Sequence, residues 1–180
     1  NSGAVDAVAY GEALYRAAHN QTDRLNGLKA VLESQDDDRK QSLLSHFYRH
    51  WQKDTQMVET WFALQSAANS VTVEMLNQLM EHEAFDITNP NKVRSVLGGF
   101  AGNYKAFHDD NGAGYQFVAD NIVRLNAINP QIAARFVKVL ENWRKLTPQR
   151  SEQMKAALAS ILTADNLSPD VLELTQKALA

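Results

Sequence analysis

An all-α fold, an irregular stack of about ten short antiparallel helices, is what this sequence predicts. Three observations carry that expectation. Apolar residues recur at spacings of three and four in segment after segment. Each of the four prolines is preceded by a capping side chain. Nowhere does a sustained period-two alternation of β-branched residues appear between turn signals.

Taken in order, the pattern places helices near 4–18, 23–34, 37–52, 55–67, 71–82, 89–101, 114–126, 129–144, 148–162 and 169–179. In the third, Leu43, Leu44, Phe47, Tyr48 and Trp51 line one stripe. The fourth repeats it with Val58, Trp61, Phe62 and Gln65, and the fifth with Met75, Leu76, Leu79 and Met80. The later starts are marked by Asn89-Pro90, Asn129-Pro130, Thr147-Pro148 and Ser168-Pro169. Asn, Ser and Thr accept from the orphan N–H groups of a first turn, and proline at the first helical position forfeits no bond. On the helix after Pro90 the stripe is Val93, Val96, Leu97 and Phe100; after Pro130 it is Ile132, Phe136, Val139, Leu140 and Trp143. Connections are short except 102–113. Short helices in tight succession stack as antiparallel pairs in a solenoid, with a compact all-α bundle as the competing architecture. No fixed repeat period is visible, so the stacking is expected to be irregular.

Composition narrows the function classes. The chain has 180 residues, 44% hydrophobic and 22% charged, which is ordinary globular usage and enough for a sizeable core. With 18 Lys plus Arg against 21 Asp plus Glu, the net charge of -3 offers no general attraction to nucleic acid or an anionic membrane. Zero cysteines exclude disulfides, thiolate metal sites and thiol nucleophiles, and cytoplasm is the expected compartment. No apolar run reaches the ~20 residues of a membrane span. The chain opens NSGAV without a methionine, which reads as a processed product or a fragment.

Several clusters invite chemistry. His46 and His50 stand at i and i+4, the spacing of zinc-binding helices, but Phe47 occupies the place of the general-base glutamate in H-E-x-x-H and no third ligand is evident. They read as surface or packing histidines. HDDNGAG at 108–114 offers Asp109, Asp110 and Asn111 as oxygen donors, yet lacks the order and the closing glutamate of a calcium loop. Gly112 and Gly114 read instead as positive-φ turn positions. Arg135, Lys138, Arg144, Lys145, Arg150 and Lys155, set against Glu141 and Glu152, spread around two helices with only Trp143 among them, so a solvated basic patch is expected rather than a nucleic-acid face. Asn20-Gln21-Thr22 and Asn166-Leu167-Ser168 match the glycosylation sequon, and the second is accounted for as turn and cap. Arg94, above Gly98 and Ala101, and Arg135 lie at the borders of their apolar stripes, where a guanidinium either points into a groove or, as edge arginines usually do, snorkels and pairs with a nearby carboxylate. No G-x-S-x-G, phosphate-cradling glycine loop or His–carboxylate motif identifies an active site.

The runs WFALQS at 61–66, EHEAFDITNPNKVRSVLGGFAGN at 81–103, AFHDDNGAGYQFVAD at 106–120, LNAINPQIAARF at 125–136 and the tail LSPDVLELTQKALA, with LYRAAHNQTDRLNGLKAVL near the start, resemble the C-terminal helical domain of bacterial-type aminopeptidase N. The combination of NPN-x-x-R, FH-x-x-x-G-x-GY and NPQ-x-A-x-R carries most of the specificity. The resemblance implies an armadillo- or HEAT-like superhelix over 1–180, packed on the catalytic domain of a zinc-dependent exopeptidase and closing the cavity reached by peptides. It also implies that Arg94 and Arg135 face that cavity. Because these residues contain no H-E-x-x-H, the zinc and the catalytic groups belong to an upstream domain, and this chain by itself is expected to be inactive and without a cofactor. GNYKAF is shorter than the family pattern and lacks its proline. The expected partners are the catalytic domain and peptide substrates, with no nucleic acid and no membrane. A free-standing scaffold binding a protein partner on its concave face is the alternative.

Overall fold

The computed structural model describes the backbone of residues 2–180 and the side chains from Ala7 onward. Every regular element among them is helical: α1 (Ser2–Ala17), α2 (Gln21–Leu32), α3 (Asp37–Trp51), α4 (Thr55–Ser66), α5 (Val73–Glu81) and α6 (Pro90–Val93). There follow a π turn at Arg94–Gly98, α7 (Gly99–Ala101), α8 (Tyr104–Phe107), α9 (Ala113–Asn126) and α10 (Pro130–Val137). A 3-10 turn at Glu141–Lys145, α11 (Pro148–Ile161) and α12 (Pro169–Leu179) complete the chain. Neighbours in sequence are neighbours in space: α1 packs on α2, α2 on α3, α3 on α4, and α4 on the π turn and α7. Further on, α9 packs on α10 and α11, and both α10 and α11 pack on α12. This is the irregular superhelix expected of the pattern, and the expected apolar stripes form one continuous core through Phe47, Phe62, Leu97, Tyr115, Leu140 and Leu158.

Capping accounts for most of the boundaries. Asn89 accepts from the amides of Asn91 and Lys92, Asn129 from Ile132, and Ser168 from Val171. Asn20, Asp36, Asp54 and Thr72 cap α2 to α5 in the same way. Thr147 is the exception to the expectation, since it precedes α11 without a side-chain cap bond.

Three further differences have physical causes. The expected helix over 129–144 breaks after Val137, where Leu140 donates to Val137 and Leu146 to Trp143 with the tighter i to i+3 spacing. Apolar residues three and four apart suit a 3-10 turn as well as an α-helix, and the break swings Trp143 inward so that its Nε1 donates to Ala178 O at 3.0 Å. The expected helix over 89–101 is continuous but passes through the π turn. There the Ser66 hydroxyl of α4 sits 2.8 Å from both Phe62 O and Ser95 O. Gly99 allows this approach, since a Cβ there would lie 2.6 Å from Ser66 Oγ. The expected long connection at 102–113 contains α8, capped by Asn103, whose Oδ1 accepts from Ala106 N while its Nδ2 donates to Ala67 O and Ala68 O.

Asn103 thus ties the end of α4 to the start of α8 from a buried position. Asn103→Ala is expected to lower unfolding stability by about 2–3 kcal/mol, because it removes a cap and the side-chain bonds to Ala67 O and Ala68 O. Urea unfolding followed by circular dichroism checks this, with Asn103→Asp recovering the cap to Ala106 but not the donors.

Candidate functional site

The two arginines at the stripe borders are both exposed. Arg94 opens the π turn, and its Nη1 donates to Asn91 Oδ1 at 2.9 Å. One turn later comes Gly98, where a Cβ would meet nothing within 4 Å. Arg135 borders a depression of about 490 Å³ that also has Asp170 and Glu173 of α12 on its wall, and it forms no ion pair among the described residues. π turns are rare and concentrate where a protein needs an unusual backbone position.

A separate groove of about 480 Å³, lined by neither arginine, has Gly98, Gly102 and Tyr104 on one side and Lys138, Asn142 and Lys145 on the other. Sequence reasoning missed it. Its two walls come from segments more than thirty residues apart, and its second wall is the stretch that follows the break after Val137. A local signal for α8 was present, however, since Asn103 is a strong capping residue type.

The remaining clusters resolve as packing. His46 and His50 stack with ring centroids 6.5 Å apart, and His46 Nδ1 lies 2.8 Å from the Tyr15 hydroxyl. Arg16 and Arg24 line the same depression. Among the described residues no three His, Asp or Glu side chains converge to hold a metal. A bound cation beside the guanidiniums of Arg16 and Arg24 is also electrostatically disfavoured, so zinc does not fit His46 and His50.

In HDDNGAG, Asp109 Oδ1 accepts from Asn111 N and Asn111 Oδ1 from Ala113 N, which are local turn bonds. Asp110 is engaged by α11: its carboxylate meets Arg150 at 2.7 Å, and its carbonyl accepts from Gln149 and Gln153. Gly112 has φ +70° as expected. Gly114 does not need positive φ; it is required by a close approach, since a Cβ would lie 2.9 Å from Phe107 O and from Phe100 Cζ.

Part of the basic run is committed within the fold. Arg144 donates to Ala178 O and Leu179 O at the end of α12 and lies 4.1 Å over the Trp143 ring, while Lys155 Nζ stands 5.0 Å from the same ring. Asn20 caps α2, and Asn166, at φ 58°, makes the turn before Ser168 caps α12. No helix among the described residues is long and apolar enough to cross a membrane.

The described residues therefore define a helical-repeat module whose surface carries a groove and border arginines. The chain belongs to the family described as a domain of unknown function (DUF3458_C) with ARM repeats, whose model matches residues 2–180. It is 41% identical over 171 residues to Aminopeptidase N of Haemophilus influenzae, an alignment covering 92% of this chain and 19% of that protein. Aminopeptidase N of Escherichia coli is 36% identical over 168 residues with the same coverage. The crystal structure of Legionella pneumophila aminopeptidase A in complex with aspartic acid superposes with a TM-score of 0.89 at 32% identity, over 96% of this chain and 20% of that one. The chain spans about a fifth of the length of these relatives.

Two histidines give the fold a pH dependence. Burial, and then Arg150, hold His108 below the usual histidine range; burial, and then Arg16, His50, Arg49 and Arg24, do the same for His46. Both are bases depressed in the folded state, so the unfolded chain binds more protons as pH falls below about 6.5. Stability is therefore expected to be full above that pH and to decline from pH 6.5 towards 5. NMR titration should place both midpoints below that of an unstructured histidine, and His46→Gln/His108→Gln should flatten the dependence of the urea midpoint over the same window.

Proposed function

We propose that this chain is the non-catalytic C-terminal domain of a zinc-dependent aminopeptidase of the N type, packed over the catalytic domain and shaping the cavity through which peptides reach it. The observation that carries this reading is the match of nearly the whole chain to aminopeptidases of which it spans only a fifth. A segment of that size with a continuous helical stack, and without a convergent metal-ligand set among its described residues, suits the role of a cover. Zinc in the parent would be held by the catalytic domain and would polarise the scissile carbonyl and activate water there. In this reading the cytoplasm is the compartment.

Arg94 and Arg135 have the chemistry for the cavity side. Each is exposed, always charged, and built to engage a carboxylate or backbone carbonyl by charge-assisted hydrogen bonds. Their role is to hold the peptide beyond its reacting end, which is a binding contribution and not a chemical one.

The purified chain is expected to release no amino acid from aminoacyl p-nitroanilides and to hold no stoichiometric zinc by elemental analysis; zinc-dependent turnover by this chain alone overturns the reading. In the parent enzyme, Arg94→Glu and Arg135→Glu are each expected to raise KM for tetrapeptides about tenfold or more, the scale of a lost charge-assisted hydrogen bond, while kcat on a single-residue amide stays near its original value.

A further inference from the structure

The groove between the α7–α8 segment and the 3-10 turn differs from the other depressions in its charge. Lys138 and Lys145 line it from opposite ends of the broken segment, and no carboxylate is among its walls. Both lysines are exposed, and neither forms an ion pair among the described residues. Elsewhere the cations of a depression are bonded within the fold or share its walls with carboxylates. In the depression by Tyr15, Arg16 pairs with Glu12 at 2.8 Å and Arg24 donates to Ala18 O at 2.9 Å. The depression beside α12 sets Asp170 and Glu173 against Arg135.

The rest of the groove is suited to an extended chain. Gly98 exposes backbone where a side chain would otherwise stand, since a Cβ there would be in open space. Tyr104 is 71% exposed, a large aromatic left at the rim, with its ring 4.6 Å from that of His108. His108 Nδ1 is held 2.8 Å from the Tyr115 hydroxyl, and burial keeps its ring neutral near pH 7, so the positive charge comes from the two lysines. Leu146 and Met154 provide an apolar base for the methylenes of an acidic side chain. The volume of about 480 Å³ lies within the ~300–1,000 Å³ of small-ligand sites.

We propose that this groove binds an acidic peptide segment, with Lys138 and Lys145 each taking a carboxylate, Tyr104 covering the peptide backbone and Asn142 offering its amide beside them. In a chain of net charge -3 this is a local attraction, so it acts at short range and weakens with salt. The site is independent of whether the parent is a peptidase, because it is complete within this chain.

The test is titration of the chain with N-acetylated, C-amidated tetraglutamate and tetraglutamine, followed by calorimetry and amide NMR at low and at physiological salt. Tetraglutamate should bind with shifts centred on Gly98, Tyr104 and Asn142, and Lys138→Glu/Lys145→Glu should weaken it at least tenfold while the helical circular dichroism is unchanged. Lys29→Glu/Lys53→Glu changes the net charge equally on the α2–α4 side and should leave the affinity within twofold. Equal binding of tetraglutamine, equal loss in both double variants, or no binding at low salt overturns the proposal. None of these outcomes bears on whether the chain hydrolyses aminoacyl amides, so the two readings fail separately.

Discussion

The stack depends on meeting the carbonyls that short helices leave open at their ends. An α-helix of about twelve residues ends with four C=O groups that have no partner within it, and a fold made of such helices has many. Here the remedy is a side chain from a neighbouring element. Asn103 Nδ2 donates to Ala67 O and Ala68 O just past α4, and Trp143 and Arg144 donate to Ala178 O in the last turn of α12. Each bond alone is worth about 1 kcal/mol net, but each unmet buried carbonyl would cost more. The same bonds orient successive helices, which hydrophobic contact alone, being non-directional, does not do.

That device also explains the irregular steps. Asn126 accepts from Ser168 N while donating to Asn166 O, so one side chain fixes both sides of the turn into α12. Ser66 reaches a carbonyl within the π turn, which the extra residue of that turn makes available, and Gly99 lets the two backbones come close enough. At the other end of the stack α1 and α2 cross at Gly11 and Gly27, where a Cβ on Gly27 would stand 2.6 Å from Gly11 O. Close backbone approach at one pair and long polar side chains at the next give unequal spacings, and a repeat of fixed period cannot describe them.

The fold class was legible because it rests on local signals. Apolar spacing and the Asn-Pro and Ser-Pro caps act within a few residues, and three of the four proline sites behave as their chemistry predicts, with Thr147 departing. What was illegible was set by distant partners. Nothing near Trp143 announces that Ala178 will take its indole N–H, and hence nothing announces that the helix after Pro130 will break. Gly114 was recognisable as special, but for the wrong reason, because a clash with Phe107 O is invisible without the turn that brings it there. The candidate site divides in the same way. Arg94 and Arg135 stand out by position along their own helices, whereas the groove with Lys138 and Lys145 appears only when two separate segments meet.

The surface follows from this division of labour. Arg144 and Arg150 are drawn into structural bonds with the end of α12 and with Asp110, so the basic run that looks uniform in sequence separates into anchoring and free charges. Lys138 and Lys145 stay free because the 3-10 turn between them spends its buried side chains, Leu140 and Trp143, on the core. Had the segment continued as one α-helix, seven residues would have been about two turns, leaving both lysines on one face about 10 Å apart. The break that satisfies Trp143 therefore also shapes the second wall of the groove. A structural requirement at the end of α12 and the geometry of a charged surface site are consequences of the same departure from the helix, and a residue that restored α-helical backbone there would disturb both together.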